Sequence, residues 1–230
     1  MSYNNGPKIV TSGLVMYLDA GNRRSFVSGS SIWTDITENK HTGSLLSSPV
    51  YTSSFGGGIT FNGTSYVYYD STPAIGSNIL RTVTLSVWFS ISQTQRHFIF
   101  TKMNSGTTLR QYNFIVETGN QTYFTTSDSS GEQVFSSANN VITPGSIYHW
   151  TGTIDRTNRV ITQYLNGQLL TTSTATVRQT DMANVNEPLT VGGISNRMRG
   201  TVYSAMIYNR VLTANEARQN YHATKGRFGL

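Results

Sequence analysis

The chain has 230 residues, no cysteine, 12% charged residues and a formal charge of +6. That length suits one all-β unit with a core large enough to need no staples, and the missing cysteines exclude disulfides and thiolate metal sites. A polar complement made of Ser, Thr, Asn, Gly and Tyr favours strands and turns over helices, and no stretch approaches the length of a membrane span.

The opening, Met1 to Gly13, lacks the apolar run of a secretory signal, so residues 1–12 are expected to form an N-terminal arm. Short strands are expected at Val15–Leu18, Ile59–Phe61 and Tyr66–Tyr69, with Gly56-Gly57-Gly58 and Asn62-Gly63 as turns. The best strand is Thr82–Ser92. There Val83, Leu85, Val87, Phe89 and Ile91 take every second position and polar residues plus Trp88 fill the gaps, the pattern of a half-buried strand. Further strands are expected at His97–Thr101, Tyr112–Glu117 and Gln121–Thr126.

The clearest hairpin joins Ile147–Ile154 to Val160–Leu165 through Asp155-Arg156-Thr157-Asn158. Asn166-Gly167 then supports a type I′ turn into Gln168–Thr172. Leu189–Val191 and Gly200–Tyr208 follow, and the broken parity of the latter predicts a bulge near Tyr203 and Ser204. One helix is expected at 213–225, with Thr213 and Glu216 as a capping box, Leu212 stapled to Ala217, and Lys225-Gly226 as its stop. About a dozen short strands with one terminal helix mean a single antiparallel two-sheet sandwich spanning 1–230.

Charge is uneven along the chain. From Arg197 onward, Arg197, Arg199, Arg210, Arg218, Lys225 and Arg227 face only Glu216, so this stretch supplies +5 of the +6. These six either form a docking face for an acidic partner or line a solvated edge. Asp128 and Glu132 are spaced i,i+4 but flank the loop residues Ser129-Ser130-Gly131, so no pair of acids is set up for glycoside hydrolysis. His41, His97, His149 and His222 are dispersed, with no zinc spacing. Trp33, in a loop-rich region with Asp35, is either a sugar-stacking platform or a pin holding its loop to the core. Trp88 is either a platform or covered by a further layer.

Two regions carry a resemblance. Gly200-Thr-Val-Tyr-Ser-Ala-Met-Ile-Tyr-Asn-Arg-Val-Leu-Thr-Ala-Asn-Glu216 resembles the closing motif of concanavalin A-like, laminin G-like jelly rolls. Tyr148-His149-Trp150, Tyr164-Leu165-Asn166-Gly167 and Val191-Gly192-Gly193 are similar to the family's central hairpin and penultimate strand. The opening Gly13-Leu-Val-Met-Tyr-Leu-Asp-Ala-Gly-Asn22, then Trp33-x-Asp35 and Ile59-Thr-Phe-Asn-Gly63, resembles such domains in structural proteins of tailed bacteriophages.

The resemblance implies a jelly roll that binds instead of catalysing, since the Glu-x-Asp-x-x-Glu pattern of the glucanase relatives is absent. It implies a virion protein on the capsid or tail, docking on neighbouring virion subunits through the basic C-terminal residues. The alternative is an adhesin for host surface glycans, contacting them through Trp33, Asp19, Asn22 and Asp35. Neither reading involves nucleic acid, membrane insertion or a cofactor. Relatives hold calcium after a Phe-x-Gly turn, but Asn62-Gly63-Thr64-Ser65 lacks the acids a hard cation wants, leaving Asp19, Asp35 and Asp70 as the available carboxylates.

Overall fold

A computed structural model describes residues 7–103, 109–174, 176–183, 186–194 and 197–230. Among them are sixteen strands: β1 (Leu14–Asp19), β2 (Ile32–Thr34), β3 (Thr42–Leu46), β4 (Val50–Thr52), β5 (Gly58–Asn62), β6 (Tyr66–Tyr69), β7 (Thr82–Ile91), β8 (His97–Met103), β9 (Arg110–Val116), β10 (Thr122–Asp128), β11 (Gly131–Ser136), β12 (Tyr148–Asp155), β13 (Val160–Leu165), β14 (Gln168–Ser173), β15 (Leu189–Val191) and β16 (Arg199–Tyr208). One helix, α1 (Ala214–Thr224), closes the chain.

The strands form two eight-stranded antiparallel sheets. In the first, the order is β14-β13-β12-β7-β16-β5-β4, with β1 also paired to β16; in the second it is β11-β10-β9-β8-β15-β6-β3-β2. This is the expected two-sheet jelly roll. β7 supplies the seam: Val83, Leu85, Val87, Phe89 and Ile91 all point into the space between the sheets and are at most 1% exposed. They meet Phe114, Phe124 and Trp150, with Phe114 and Trp150 stacked at 3.8 Å between ring centroids. Stacked rings at this distance add packing specificity beyond their buried area.

The core also carries a polar clamp between the sheets. Gln163 Oε1 on β13 accepts from Thr122 on β10 at 2.8 Å and from the Trp150 indole at 3.0 Å, while its amide donates to the Phe135 carbonyl on β11 at 2.9 Å. At the edge, Asp128 is fully buried between Arg156 at 3.1 Å and Arg178 at 2.7 Å. Its bonds to Thr180, Ser130 and both guanidinium groups outweigh burial and bring its carboxyl down to about 2.

Several expectations need correction. The outer face of β7 is buried as well: Thr84, Ser86 and Trp88 are at most 1% exposed because the C-terminal segment lies across them. Trp88 stacks on Phe228 at 4.1 Å and on Tyr221 at 5.7 Å, and its indole donates to Thr224 at 2.7 Å. The covering layer is therefore α1 and the turn after it, and Trp88 has no face for a sugar. The α-helix ends at Thr224 with Lys225 as its C-cap, as expected, but a 3-10 turn not anticipated follows through Phe228, and Gly229 takes the left-handed cap at φ 71°. That extension places Phe228 on Trp88. Strands β2, β3, β4 and β11 were not anticipated.

Other features follow the sequence closely. Thr213 and Glu216 form the capping box, Asn166 and Gly167 both have positive φ, and the β16 register shifts between Val202 and Ser204. Of the proposed arm, residues 1–6 lie outside the described residues, while Val10 is buried and bonded through its amide to Asn220 and through its carbonyl to Tyr208.

Replacing Gln163 by leucine leaves the Thr122 hydroxyl and the Trp150 indole without their partner in the core and removes the side-chain bond to the Phe135 carbonyl. The expected cost is about 3 kcal/mol or more in urea unfolding; a loss below about 1 kcal/mol would mean that the clamp contributes nothing net.

His149 generates a second prediction. Burial brings its imidazole from 6.5 down to about 3, so the unfolded chain binds the extra proton first as pH falls. Stability from this group is complete above 6.5 and is lost between 6.5 and 3, with a slope of up to about 1.4 kcal/mol per pH unit. His149→Gln should flatten the stability curve over that window relative to wild type, and parallel curves would refute the assignment.

Candidate functional site

Of the four residues first expected to touch a ligand, Trp33 and Asp35 are buried, while Asp19 and Asn22 are partly exposed and engaged in local bonds. Trp33 is fully buried, its indole donating to Ser25 at 3.1 Å, so it pins its loop to the core. Asp35 is also fully buried, accepting the amides of Tyr17 and Thr37 at 2.8 Å each and the Thr37 hydroxyl at 2.6 Å. Asn22 caps its own turn through a 3.0 Å bond from the Arg24 amide. Asp19 forms an ion pair with Arg227 at 2.6 Å. The four do not make a common binding surface.

The basic residues are equally divided. Arg199 and Arg210 flank opposite ends of β16, about 30 Å apart by strand rise. Arg210 chelates Glu216 at 2.6 and 2.9 Å, which holds that carboxyl at about 2. Arg227 donates to Asp19 and to the carbonyls of Phe55 and Gly57. It thereby stitches the C-terminus to the glycine turn, which is packed and not flexible: a Cβ on Gly57, at φ 125°, would fall 2.6 Å from the Ala20 carbonyl. Arg218 reaches Asn215 and Lys225 sits over Tyr221. A single basic docking face is not formed.

A calcium ion also finds no seat at the Asn62–Ser65 turn. Asn62 Oδ1 is already occupied by the amides of Thr64 and Ser65 and by the Thr64 hydroxyl. Among the described residues no three His, Asp or Glu side chains come together, so Asp19, Asp35 and Asp70 do not form a ligand set.

What the fold does assemble lies at one end of the sandwich. The pairs Leu46 with Tyr66, Ile91 with Gly200, and Phe98 with Arg197 place the turns after β3, β5, β7 and β15 together there. The loop before β2 joins them through the Leu45 amide, which donates to the Ser31 carbonyl at 2.8 Å.

On one flank is an open groove of about 630 Å³ between residues 28–31 and 45–51. Its floor is the Tyr51 ring, partly exposed and stacked on Phe26 at 5.4 Å. Its walls carry Ser28, Ser31, Ser47 and Ser48, whose hydroxyls have no partner among the described residues, with Val50 64% exposed at the rim. Ser47 and Ser48 both sit at φ 57°. Two consecutive left-handed residues without glycine cost about 1–2 kcal/mol each, and Ser48 precedes Pro49, which ordinarily imposes extended backbone. Such strain persists only where the surrounding fold imposes it.

On the other flank is a basin of similar size lined by Arg96, Arg197 and Arg199 together with Gly63, Thr118 and Ile194. Arg96 is paired with Glu117 at 2.6 Å, and Arg197 lies over the Tyr66 ring at 4.7 Å while donating to the Thr64 carbonyl at 2.6 Å. Sequence reasoning singled out Arg197 and Arg199 but missed Arg96 and every groove residue. Serine-rich loops read as generic turns, and nothing in their spacing says that the two around Ser28–Ser31 and Ser47–Ser48 converge.

This geometry defines a jelly roll with a loop-built depression at its end. The chain belongs to the concanavalin A-like lectin/glucanase superfamily, whose family model matches residues 61–218. Among solved structures it is similar to the binding domain of Paraclostridial Mosquitocidal Protein 1, at TM-score 0.71 and 14% identity over 91% of this chain and 52% of that one. The binding domain of botulinum neurotoxin DC in complex with SialylT gives TM-score 0.70 and 11% identity over 92% and 52%. Trypanosoma rangeli sialidase in complex with 2,3-difluoro-KDN gives 0.68 and 16% over 95% and 34%. The chain thus spans about half or less of each of these proteins, and the likeness concerns the fold. A search of curated proteins finds no match.

Removing the Arg227 stitch is testable. Arg227→Ala leaves Asp19 and the Phe55 and Gly57 carbonyls without their partner and should lower stability by about 2 kcal/mol. Limited proteolysis should then nick the chain at 53–58 well before other loops; an unchanged digestion pattern would show that the turn holds itself.

Proposed function

We propose that this chain is a carbohydrate-binding module that holds a glycan in the serine-lined groove and does not cleave it. The observation that carries this reading is the pairing of an aromatic floor, Tyr51 on Phe26, with four unbonded serine hydroxyls in one groove. A pyranose presents an apolar face and a rim of hydroxyls, and this lining complements both. The strained backbone of Ser47 and Ser48 holds two of those hydroxyls at the groove wall. Fold relatives solved with SialylT and with 2,3-difluoro-KDN make a sugar ligand a natural expectation for the scaffold.

Binding without hydrolysis is supported by the state of the carboxylates. Asp128, Glu117, Glu132, Asp19 and Glu216 are each held by an arginine, and none lines the groove. A glycosidase needs two carboxyl groups about 5–9.5 Å apart across the bond. Location on a phage particle, the other expectation from the sequence, rests on the resemblance of the opening motif. It would add a place of action and leave this chemistry unchanged.

A glycan array read with the full chain should show saturable binding. Tyr51→Ala should weaken it at least about tenfold, the loss of about 1.4 kcal/mol of stacking. Ser31→Tyr, an exposed position that fills the groove, should abolish it. Absence of saturable binding, or binding indifferent to both changes, would end this reading. Release of reducing ends that a single carboxylate substitution abolishes would end its non-catalytic part.

A further inference from the structure

The arginine basin lies next to the groove, across the β5–β6 turn. Moving across the second sheet, β8 brings Arg96, the approach to β16 brings Arg197 over Tyr66 of β6, and β3 then leads into the groove at Leu46 and Ser47. We propose that this basin takes the carboxylate of an acidic sugar residue carried by the glycan, a uronic or sialic type of group. The inference rests on the glycan-binding reading for its context but on separate residues for its chemistry.

Three features support it. Charge is uncompensated: three guanidinium groups line the basin and only Glu117 answers them, already engaged with Arg96 and the Thr118 amide. Arg199 has no ion-pair partner among the described residues, and all eleven acidic residues of the chain lie among them.

The arginines are also positioned before any ligand arrives. Arg197 is fixed by the carbonyls of Thr64 and Ile194 and by the Tyr66 face, which leaves its remaining N–H groups to the basin. Arg199 is aligned through its backbone, whose amide donates to His97 Nδ1 at 3.2 Å while His97 Nε2 bonds the Gln93 carbonyl at 2.9 Å. Its guanidinium rests on Gly63, where a Cβ would come within 2.8 Å of Nε. A side chain at residue 63 would displace it.

The third feature is shape. The basin's roughly 630 Å³ falls within the range of about 300–1,000 Å³ usual for small-molecule sites, so it admits a sugar residue and not only an ion. Planar guanidinium forks match a planar carboxylate through paired hydrogen bonds.

The test is an NMR titration of the full chain, labelled with nitrogen-15, at constant ionic strength. The probes are sodium D-glucuronate, D-glucose and D-glucose 6-sulfate. The expected result is saturable shifts at the Nε–H groups of Arg197 and Arg199 and at the Gly63 and Thr118 amides with glucuronate, and none with glucose. Arg199→Ala should weaken glucuronate at least about fivefold, Arg199→Lys should recover only part of it, and Arg218→Ala, on the exposed helix, should leave it unchanged. Unsaturable shifts, shifts spread equally over Arg218 and Arg24, or sulfate binding as tight as glucuronate would overturn the carboxylate assignment. Glucuronate is too small to require the groove. Glucuronate binding without array binding therefore rejects the groove and keeps the basin, and neutral-glycan binding without a glucuronate response does the reverse.

Discussion

The bulge in β16 is the constraint on which the rest of the molecule depends. This strand is flanked by β7 and β5 and also pairs with β1, and unbroken alternation would turn Val202, Ser204 and Met206 to one face. The register shift between Val202 and Ser204 instead sends Val202, Ala205 and Ile207 into the inter-sheet core and leaves Tyr203, Ser204 and Met206 outside. The bulged residue is put to use. Its carbonyl accepts the Ala20 amide at 3.0 Å, and its ring meets Phe228 at 5.2 Å and Phe55 at 6.1 Å. One extra residue thus settles both the inner packing and the attachment of the C-terminal cover. It also fixes Arg199 at one end of the strand and leaves Arg210 beyond the other.

The inner face of the sandwich was legible in the sequence because alternation is a local signal. β7, the β12–β13–β14 meander, the bulge and the capping box all announce themselves within a few residues of one another. What was illegible depends on contacts across long separations. Parity leaves Trp88 as either a platform or a covered residue, and the choice is settled by Tyr221, Thr224 and Phe228, more than 130 positions later, which pack over it. Trp33 and Asp35 look like ligand residues in a polar loop. Yet a loop crossing the edge of a jelly roll needs an anchor, and a buried indole bonded to Ser25 with a carboxylate collecting amides provides one.

The same logic divides the arginines. A chain at +6 with few charges has cations to spare, and most of them serve the fold. Arg156 and Arg178 neutralise a buried aspartate, Arg210 secures the helix start, Arg227 closes the C-terminus on the glycine turn, and Arg96 holds Glu117. Buried and half-buried carboxylates cannot be left without partners, because the desolvation of an isolated charge costs several kcal/mol. Counting basic residues along the sequence therefore overstates the charge available to a partner, while Arg197 and Arg199 remain without an ion pair among the described residues.

This division also explains how one scaffold serves both enzymes and binding modules. A hydrolytic jelly roll must keep two carboxylates unpaired in an open cleft, a cost in stability that the rest of the fold must offset. Here Asp19, Glu117, Asp128, Glu132 and Glu216 are paired with arginines, and the wall of the groove carries two consecutive left-handed residues, Ser47 and Ser48. Strain in a loop wall positions hydroxyls without providing a proton donor or a nucleophile. The wall of the groove is thus held by backbone geometry and not by ion pairs, which sets it apart from the arginine-paired turns elsewhere in the sandwich.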